Sequence, residues 1–399
     1  MDASPVVLML LASREASETF IAREIDALQK RGYPLLVASL TDLPHALHME
    51  GEAPTSHTPN TWRARLRRAA RLANLSARQS LALQCRIFEE LLSFSPLNAL
   101  RIWRHRHKIS ALVTLARKTN ATRLHAQFAW IAADVTGIAA SILKIPWACS
   151  VHAWDVFTRP APELRRRLRG AEFIIACNQR AHDAVASAVT CHVHLIRHGV
   201  KWREHLAPKP TREQDAPATI LAIGRLVPKK GFDTLLVALS QTRHKHARLT
   251  LIGDGPERGN LLHLATKLNL TSRVTFLWQL PHDATLQALS RATLLALPSR
   301  RTRDNDSDGF ANVLAEAMQF HVPIITTSAA GATELLTHND SALIIPPDDP
   351  AQLASAIDRL LSEPALQTRL ATNARRVLET QLNEDLEIEK TAALLFPQP

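Results

Sequence analysis

A chain of 399 residues is longer than one hydrophobic core usually spans, and 46% hydrophobic with 21% charged residues is ordinary globular content, which excludes a disordered chain and favours a large two-domain enzyme. The four cysteines, Cys85, Cys149, Cys177 and Cys191, have no close ligand spacing and no matching histidine pair, so neither a zinc site nor a disulfide framework is indicated and a reducing cytoplasm is the simplest setting. The formal net charge is +11, and residues 1–200 hold 26 Lys and Arg against 15 Asp and Glu, so the whole excess belongs to the first half.

Taken in order, Val6 to Ala12 reads as a first strand rather than a signal peptide, because no basic segment precedes it and an acidic, amphipathic helix follows. Between Trp62 and Arg123 the chain carries 14 Lys and Arg, with only Glu89 and Glu90 opposing them. Trp62, Leu66, Leu72, Leu75, Trp103 and Ile109 alternate with these charges, a pattern that suits basic amphipathic helices on an anionic lipid surface. A solvated helical face would give the same string. Nucleic acid is not expected as a partner, since there is no binding module for it and the chain has a single Tyr to stack a base. No apolar run reaches the ~20 residues of a membrane span, and even Gly137 to Val151 contains Lys144 and Pro146. The charge pattern therefore allows docking on a membrane but not crossing it. His152, at the end of the strand Cys149 to Val151 with Asp155 close behind, is a better functional candidate than a lone histidine. Trp202, Pro208, Pro210 and polar residues then interrupt the pattern from Lys201 to Pro217, which predicts a junction between domains.

In the second half, Leu221-Ala222-Ile223-Gly224-Arg225 is an apolar strand ending in a glycine turn, and Arg225 and Lys230 stand five residues apart before a helix begins. A nucleotide diphosphate gathers negative charge as it leaves a sugar, and without a metal that charge must be met by fixed cations and amides. Two basic residues in a solvated loop would look the same. Gly253, Gly255 and Gly259 follow another apolar strand, but the third glycine falls one place late for a dinucleotide fingerprint. Asp304-Asn305-Asp306 has metal-pair spacing yet lies in a polar stretch that predicts a turn. Asp308 and Glu316 then stand eight residues apart, around Gly309 and a predicted helix start from Asn312 to Met318. The positive end of such a helix suits an anion, and the flanking acids can grip hydroxyls; a phosphorylated sugar has both features. A turn acid and a dipole-complementing glutamate on any surface helix would share the spacing.

The string Asp308 to Glu316 resembles the acid, seven residues, then Glu signature of the retaining glycosyltransferases of family 4, with Asp in place of the usual first Glu. Gly224-Arg225 with Lys230-Gly231 is similar to that family's diphosphate-holding segment. Leu249 to Arg258 resembles its donor domain, Arg273 to Trp278 the strand that meets the nucleobase, and Pro323 to Glu334 a further strand and acid. Trp278 and Ala330 stand where glycines are usual. In the first half, Ser17-Glu18-Thr19-Phe20, Leu124-His125-Ala126-Gln127-Phe128 and His152-Ala153-Trp154-Asp155 resemble the exopolysaccharide and colanic-acid-type branch, with Gln127 replacing a second histidine. His198-Gly199-Val200 matches too, with Lys201 in place of the usual acid.

The resemblance implies a GT-B fold of the α/β class: two doubly wound, Rossmann-like parallel-sheet domains around a central cleft. Residues 1–200 would bind the acceptor and include the basic segment 60–120, residues 201–382 would bind the donor, and 383–399 would be a helix able to pack back on the first domain. It implies retaining transfer of a sugar from a UDP- or GDP-linked donor to a saccharide or lipid-linked acceptor of bacterial surface polysaccharide or glycolipid synthesis. Neither a cofactor nor a metal is implied. Gly224, Arg225, Lys230, Asp308, Gly309, Phe310, Ala311, Asn312, Val313 and Glu316 would contact the donor, with His152, Arg225, Lys230 and Asp308 catalytic; Glu18, Thr19, His125 and Asp155 would lie on the acceptor side. The protein is expected in the cytoplasm, docked on the inner face of the membrane. A GT-B sugar-nucleotide epimerase and a non-catalytic basic polyanion-binding protein are the alternatives.

Overall fold

The computed structural model describes residues 6–11, 19–41, 43, 84, 85, 87, 88, 92, 96–200, 217–329 and 331–397. These fall into two compact units: Met1–Cys177 with Ala181–Ile196 and Ile388–Pro399, and Asn178–Arg180 with Arg197–Glu387. The expected junction from 201 to 216 lies outside the described residues, as do Arg63, Arg65, Arg67, Arg68, Arg71, Arg78 and Arg86 of the basic stretch.

In the first unit β1 (Val7–Leu11), β2 (Leu35–Ser39), β3 (Arg123–Gln127), β4 (Trp147–Val151), β5 (Phe173–Ala176) and β6 (His192–Leu195) form one sheet in the order β2-β1-β3-β4-β5-β6. Every pairing is parallel. Parallel strands need crossover connections, which place helices on both faces, so the strands must be apolar on both sides. β1 shows this: Leu8 and Leu10 enter the core under the helices Arg106–Lys118 and Ile131–Leu143, while Val7, Met9 and Leu11 enter the opposite one. That opposite core takes Ile21 and Leu28 from the helix Thr19–Lys30. Ile388, Ala392, Leu395 and Phe396, spaced as one helical face, enter it from the end of the chain, where Phe396 stacks on Tyr33 at 4.9 Å.

In the second unit β7 (Thr219–Ile223), β8 (Arg248–Ile252), β9 (Val274–Leu277), β10 (Leu294–Leu297), β11 (Ile324–Thr327) and β12 (Leu343–Ile345) form a second parallel sheet in the order β12-β11-β10-β7-β8-β9. Its core draws on both helical layers, with Leu235 and Leu239 from Phe232–Gln241 and Leu314 and Met318 from Asn312–Gln319.

Both strand orders reverse direction once. The chain steps from β1 to β2 on one side and then to β3 on the other; it steps from β7 through β8 and β9 and then returns to place β10 beside β7. Loops leaving the carboxyl ends at such a switch point diverge and leave room for a ligand, so the chemistry is to be sought after β1 and β3 and after β7 and β10. Among the described residues no helix is long and apolar enough to cross a membrane.

Candidate active site

In the second unit the loops after β7 and β10 are bound together through their backbones. Gly231 has φ +66°, and a Cβ there would lie 2.0 Å from the carbonyl oxygen of Pro298, so only glycine fits. The Arg300 N–H donates to the Lys229 carbonyl at 2.8 Å. This contact sets the 3₁₀ turn Pro228–Lys230 against the segment Ser299 to Asp308, and both lysines of the turn become buried.

A buried ammonium group is costly unless paired, and each is paired. Lys230 Nζ donates to Asp308 Oδ2 at 2.7 Å, and the Ser299 hydroxyl donates to the same oxygen at 3.0 Å. Lys229 Nζ donates to Asp306 Oδ1 at 2.9 Å and lies 3.7 Å from Asp308 Oδ1. Burial alone would push the Asp308 carboxyl up. The charges of Lys230 and Lys229, with the hydrogen bonds from Lys230 and Ser299, outweigh it and hold the carboxyl below its ordinary value. Two cations and two carboxylates thus close on themselves. Arg225, exposed on the same loop after Gly224, adds a further positive charge.

Asp308 leads directly into a helix start. Gly331, in the turn after β11, donates its N–H to the Asp308 carbonyl at 3.3 Å, and a Cβ on Gly331 would meet the Gly309 carbonyl carbon at 2.8 Å. Phe310 and Ala311 pack against the core and fix the entry of the helix Asn312–Gln319, whose N-cap Ala311 offers no side-chain cap. The amides at Asn312 and Val313 are therefore not capped by that side chain, and the helix dipole favours an anion in front of them. Glu316 is half-buried in the second turn. The expected turn at Asp304-Asn305-Asp306 is present: Asn305 has φ +65°, its N–H donates to the Thr302 carbonyl at 2.9 Å, and Asp306 is engaged by Lys229. Beyond β9, one face of Trp278 is covered by the Arg258 guanidinium at 3.5 Å.

The first unit brings together His125, Gln127, His152 and Asp155, all buried. His125 Nε2 lies 2.9 Å from Ser150 Oγ on the neighbouring strand; burial, with the Arg123 charge nearby, pushes its pKa down to about 3, so the ring is neutral. The Asp155 carboxylate is taken up by backbone N–H groups. Its Oδ1 accepts the His152 backbone N–H at 2.8 Å and its Oδ2 accepts the Ala129 N–H at 2.6 Å. Burial pushes the Asp155 carboxyl up to about 7, more than those two N–H bonds and Arg159 pull it down. The His152 ring instead meets Gln127 Oε1 at 3.0 Å, between Phe128 and Phe20 at ring distances of 4.4 and 5.1 Å. Thr19 is the first residue of the helix Thr19–Lys30, and Glu18 lies outside the described residues.

Sequence reading alone missed Ser299 and Lys229 as site residues, and took Asp306 for a turn residue without its lysine partner. A signal exists for two of them: Ser299 lies two residues past the end of β10, and Lys229 shares the Pro-Lys-Lys turn with Lys230.

Two parallel six-stranded sheets, each with its loops gathered at a switch point, are the architecture of GT-B glycosyltransferases. Residues 205–377, which include Lys230, Asp308 and the helix Asn312–Gln319, match the family described as "Glycosyl transferases group 1". The chain is similar to the lipopolysaccharide core biosynthesis glycosyltransferase LpsE of Rhizobium meliloti, with 30% identity over 186 residues, 46% of this chain and 51% of LpsE. It is also similar to the glycogen synthase of Mycobacterium tuberculosis, with 25% identity over 273 residues and 64% of each chain. The chain thus spans about half the length of LpsE and about two thirds of the glycogen synthase. In fold it is similar to Anabaena HepE, solved in complex with UDP: TM-score 0.72, 20% identity, 98% of this chain and 99% of HepE covered.

Proposed function

We propose that this chain is a retaining glycosyltransferase of the family 4 type, moving a sugar from a UDP- or GDP-linked donor to a saccharide or lipid-linked acceptor in surface polysaccharide or glycolipid synthesis. The observation that carries the reading is the Lys230–Asp308 pair at the β7/β10 switch point, directly before an uncapped helix start, inside the segment that matches the group 1 model. UDP in the HepE structure and the polysaccharide-building names of LpsE and glycogen synthase support the choice of donor and acceptor class.

In this mechanism Arg225, Lys230 and the amides from Gly309 to Val313 meet the charge that grows on the departing diphosphate. Lys230 need not lose Asp308 to do so, because an ammonium group has three donors. Glu316 takes the ribose hydroxyls and Asp308 the hydroxyls of the donor sugar. The acceptor hydroxyl attacks from the face that the diphosphate leaves and gives its proton to a departing phosphate oxygen. The reading includes no divalent metal. Asp306 and Asp308, the acids nearest the site, are each held by a lysine, and fixed cations supply the charge a metal would bring.

A thermal-shift screen of UDP-, GDP- and ADP-sugars tests the reading. A donor at 100 times its Kd stabilises by about 2.7 kcal/mol, and one of the three is expected to do so in EDTA. No shift with any of them contradicts donor binding; an epimerised sugar formed without acceptor points to an epimerase instead.

Docking on an anionic membrane completes the proposal. Phe88, Leu92 and Leu100 are 55%, 68% and 65% exposed, in a stretch that also exposes Arg104 and Arg106. Apolar side chains among cations suit a lipid interface, where each basic residue contributes ~1 kcal/mol. Flotation with anionic vesicles at low salt, lost in high salt and with Arg63, Arg65, Arg67 and Arg68 changed to Ser, is the expected result. Binding indifferent to lipid charge, salt and those changes would assign the basic face to solvent.

A further inference from the structure

Toward the amino end of the first sheet, the helices Ile131–Leu143 and Ala161–Arg167 and the start of β4 line a cavity of about 340 Å³ that lies wholly within the first unit. Trp147 opens β4 on this side, and His152 follows the other end of that strand. Trp147 is 3% exposed, and its ring lies against Gly137, where a Cβ would come 3.1 Å from Cζ2. A buried indole N–H usually finds an acceptor. Among the described residues nothing accepts this one, and the nitrogen is not sealed off. Gly170, which lines the same cavity at φ +79°, brings no side chain in front of it, since even a Cβ there would stay 3.8 Å away. The N–H therefore opens on the cavity.

Four cations line it: Lys144, Arg166, Arg167 and Arg169. Arg167 is buried and spent on two carboxylates, donating from Nη1 to Asp134 Oδ2 and from Nε and Nη2 to Glu163 Oε1 at 3.0 and 2.9 Å. Asp134 Oδ1 also accepts from Arg166 Nη1 at 3.3 Å. These two acids against four cations leave two positive charges, matching the −1.5 to −2 that a phosphate monoester carries near pH 7, roughly. Cations near a helix end also complement its dipole, but that gives no reason for an indole N–H opening among them. Lys144 has φ +56°, at the left-handed C-cap where glycine is usual, and a long cationic side chain stands there all the same.

We propose that this cavity binds the phosphate group of a monoester, with Lys144, Arg166 and Arg169 meeting its charge and the Trp147 N–H donating to one of its oxygens. A phosphate offers acceptors only at its oxygens, which suits a lining whose opening groups are donors, and guanidinium groups match it in shape as well as charge. The site belongs to a different unit from the loops assigned to the diphosphate, and it does not rest on the proposed transferase activity. A soluble phosphate ester and a lipid head group present the same chemistry, and the test separates them.

That test is ¹H–¹⁵N NMR of the full chain labelled at tryptophan, with the Trp147 indole signal identified by its loss in Trp147→Phe. Glycerol phosphate is expected to move that signal saturably, and chloride at equal ionic strength to leave it in place. Changing Lys144→Gln together with Arg169→Gln removes two exposed cations, so the double variant should melt like wild type and respond roughly tenfold more weakly or less. For a lipid source, flotation compares phosphatidylcholine vesicles carrying phosphatidic acid, a monoester, with vesicles of equal surface charge carrying phosphatidylglycerol, a diester. Preference for phosphatidic acid, lost in the double variant, assigns the site to a head group; a response to glycerol phosphate without that preference assigns it to a soluble ester. A Trp147 signal indifferent to glycerol phosphate, with flotation that does not distinguish the two lipids, overturns the proposal. So does a shift that chloride reproduces, or a folded double variant that responds as the wild type does. The wild-type titration and flotation decide even where the double variant fails to fold.

Discussion

The loops after β7 and β10 in the second unit are held by charge, whereas the strand ends of the first unit are held by neutral hydrogen bonds and aromatic rings. Lys229 and Lys230 face Asp306 and Asp308, and glycines let the backbones approach until only those pairs fit. In the first unit His125 meets a hydroxyl, His152 meets an amide, and Asp155 spends its oxygens on backbone N–H groups. Fixed charges suit a group whose own charge grows during reaction. Neutral, oriented dipoles suit a sugar, whose hydroxyls must be ordered without being ionised. In the proposed function it is the charged loops of the second unit that are assigned to the diphosphate.

Several changes would break or sharpen that contrast. The largest effect is expected from Gly253→Ala, since a Cβ there would lie 1.9 Å from the Gly224 carbonyl oxygen and φ is +142°. Backbone cannot yield as a side chain end would, so the second unit should lose cooperative unfolding and soluble yield. Gly259→Ala, with open space around it, should melt like wild type. Equal melting of the two variants would show that the β7 and β8 loops do not need their close approach.

Next in size is loss of the cations. Arg225→Ala or Lys230→Ala removes charge that matters most as the sugar bond breaks, and turnover should fall on the order of 100-fold or more. Near-wild-type turnover in both would remove the diphosphate from this loop. The equivalent change in the first unit, Gln127→Met, alters no net charge and should cost less.

A pH series separates the units further. The His125 pKa is pushed from its ordinary value of 6.5 down to about 3 in the fold, so the unfolded chain binds the extra proton between those values. Its contribution to stability is therefore fully present above about pH 6.5 and is lost as pH falls toward 3, on the order of a few kcal/mol in all. His125→Gln keeps a donor for Ser150 without titrating, and its melting temperature should fall less steeply with acid. An unchanged slope would place the acid sensitivity elsewhere.

How much of this was legible in the sequence follows from the range of the interactions. β1, β4, β7 and β8 announce themselves as short apolar runs because strands buried on both faces cannot alternate; β3, with Arg123, His125 and Gln127, does not. The helix start after Gly309 was legible because its turn chemistry is local. The Lys230–Asp308 pair was not, although both residues were singled out, because 78 residues separate them and only the strand order brings their loops together. Proximity in sequence also misled: Asp155 stands three residues from His152 yet bonds its backbone, while Gln127, 25 residues away, holds the ring. Side-chain direction at a strand end depends on the neighbouring strand, which a single sequence does not show.

Isothermal titration of UDP and GDP into the wild type and Lys230→Ala, in EDTA, tests the central claim most directly, because it isolates the charge-held loops of the second unit from acceptor, membrane and turnover. One of the two nucleotides should bind the wild type without metal, and Lys230→Ala should weaken that binding at least tenfold, about 1.4 kcal/mol. Binding that requires manganese, or that is indifferent to Lys230, would contradict it.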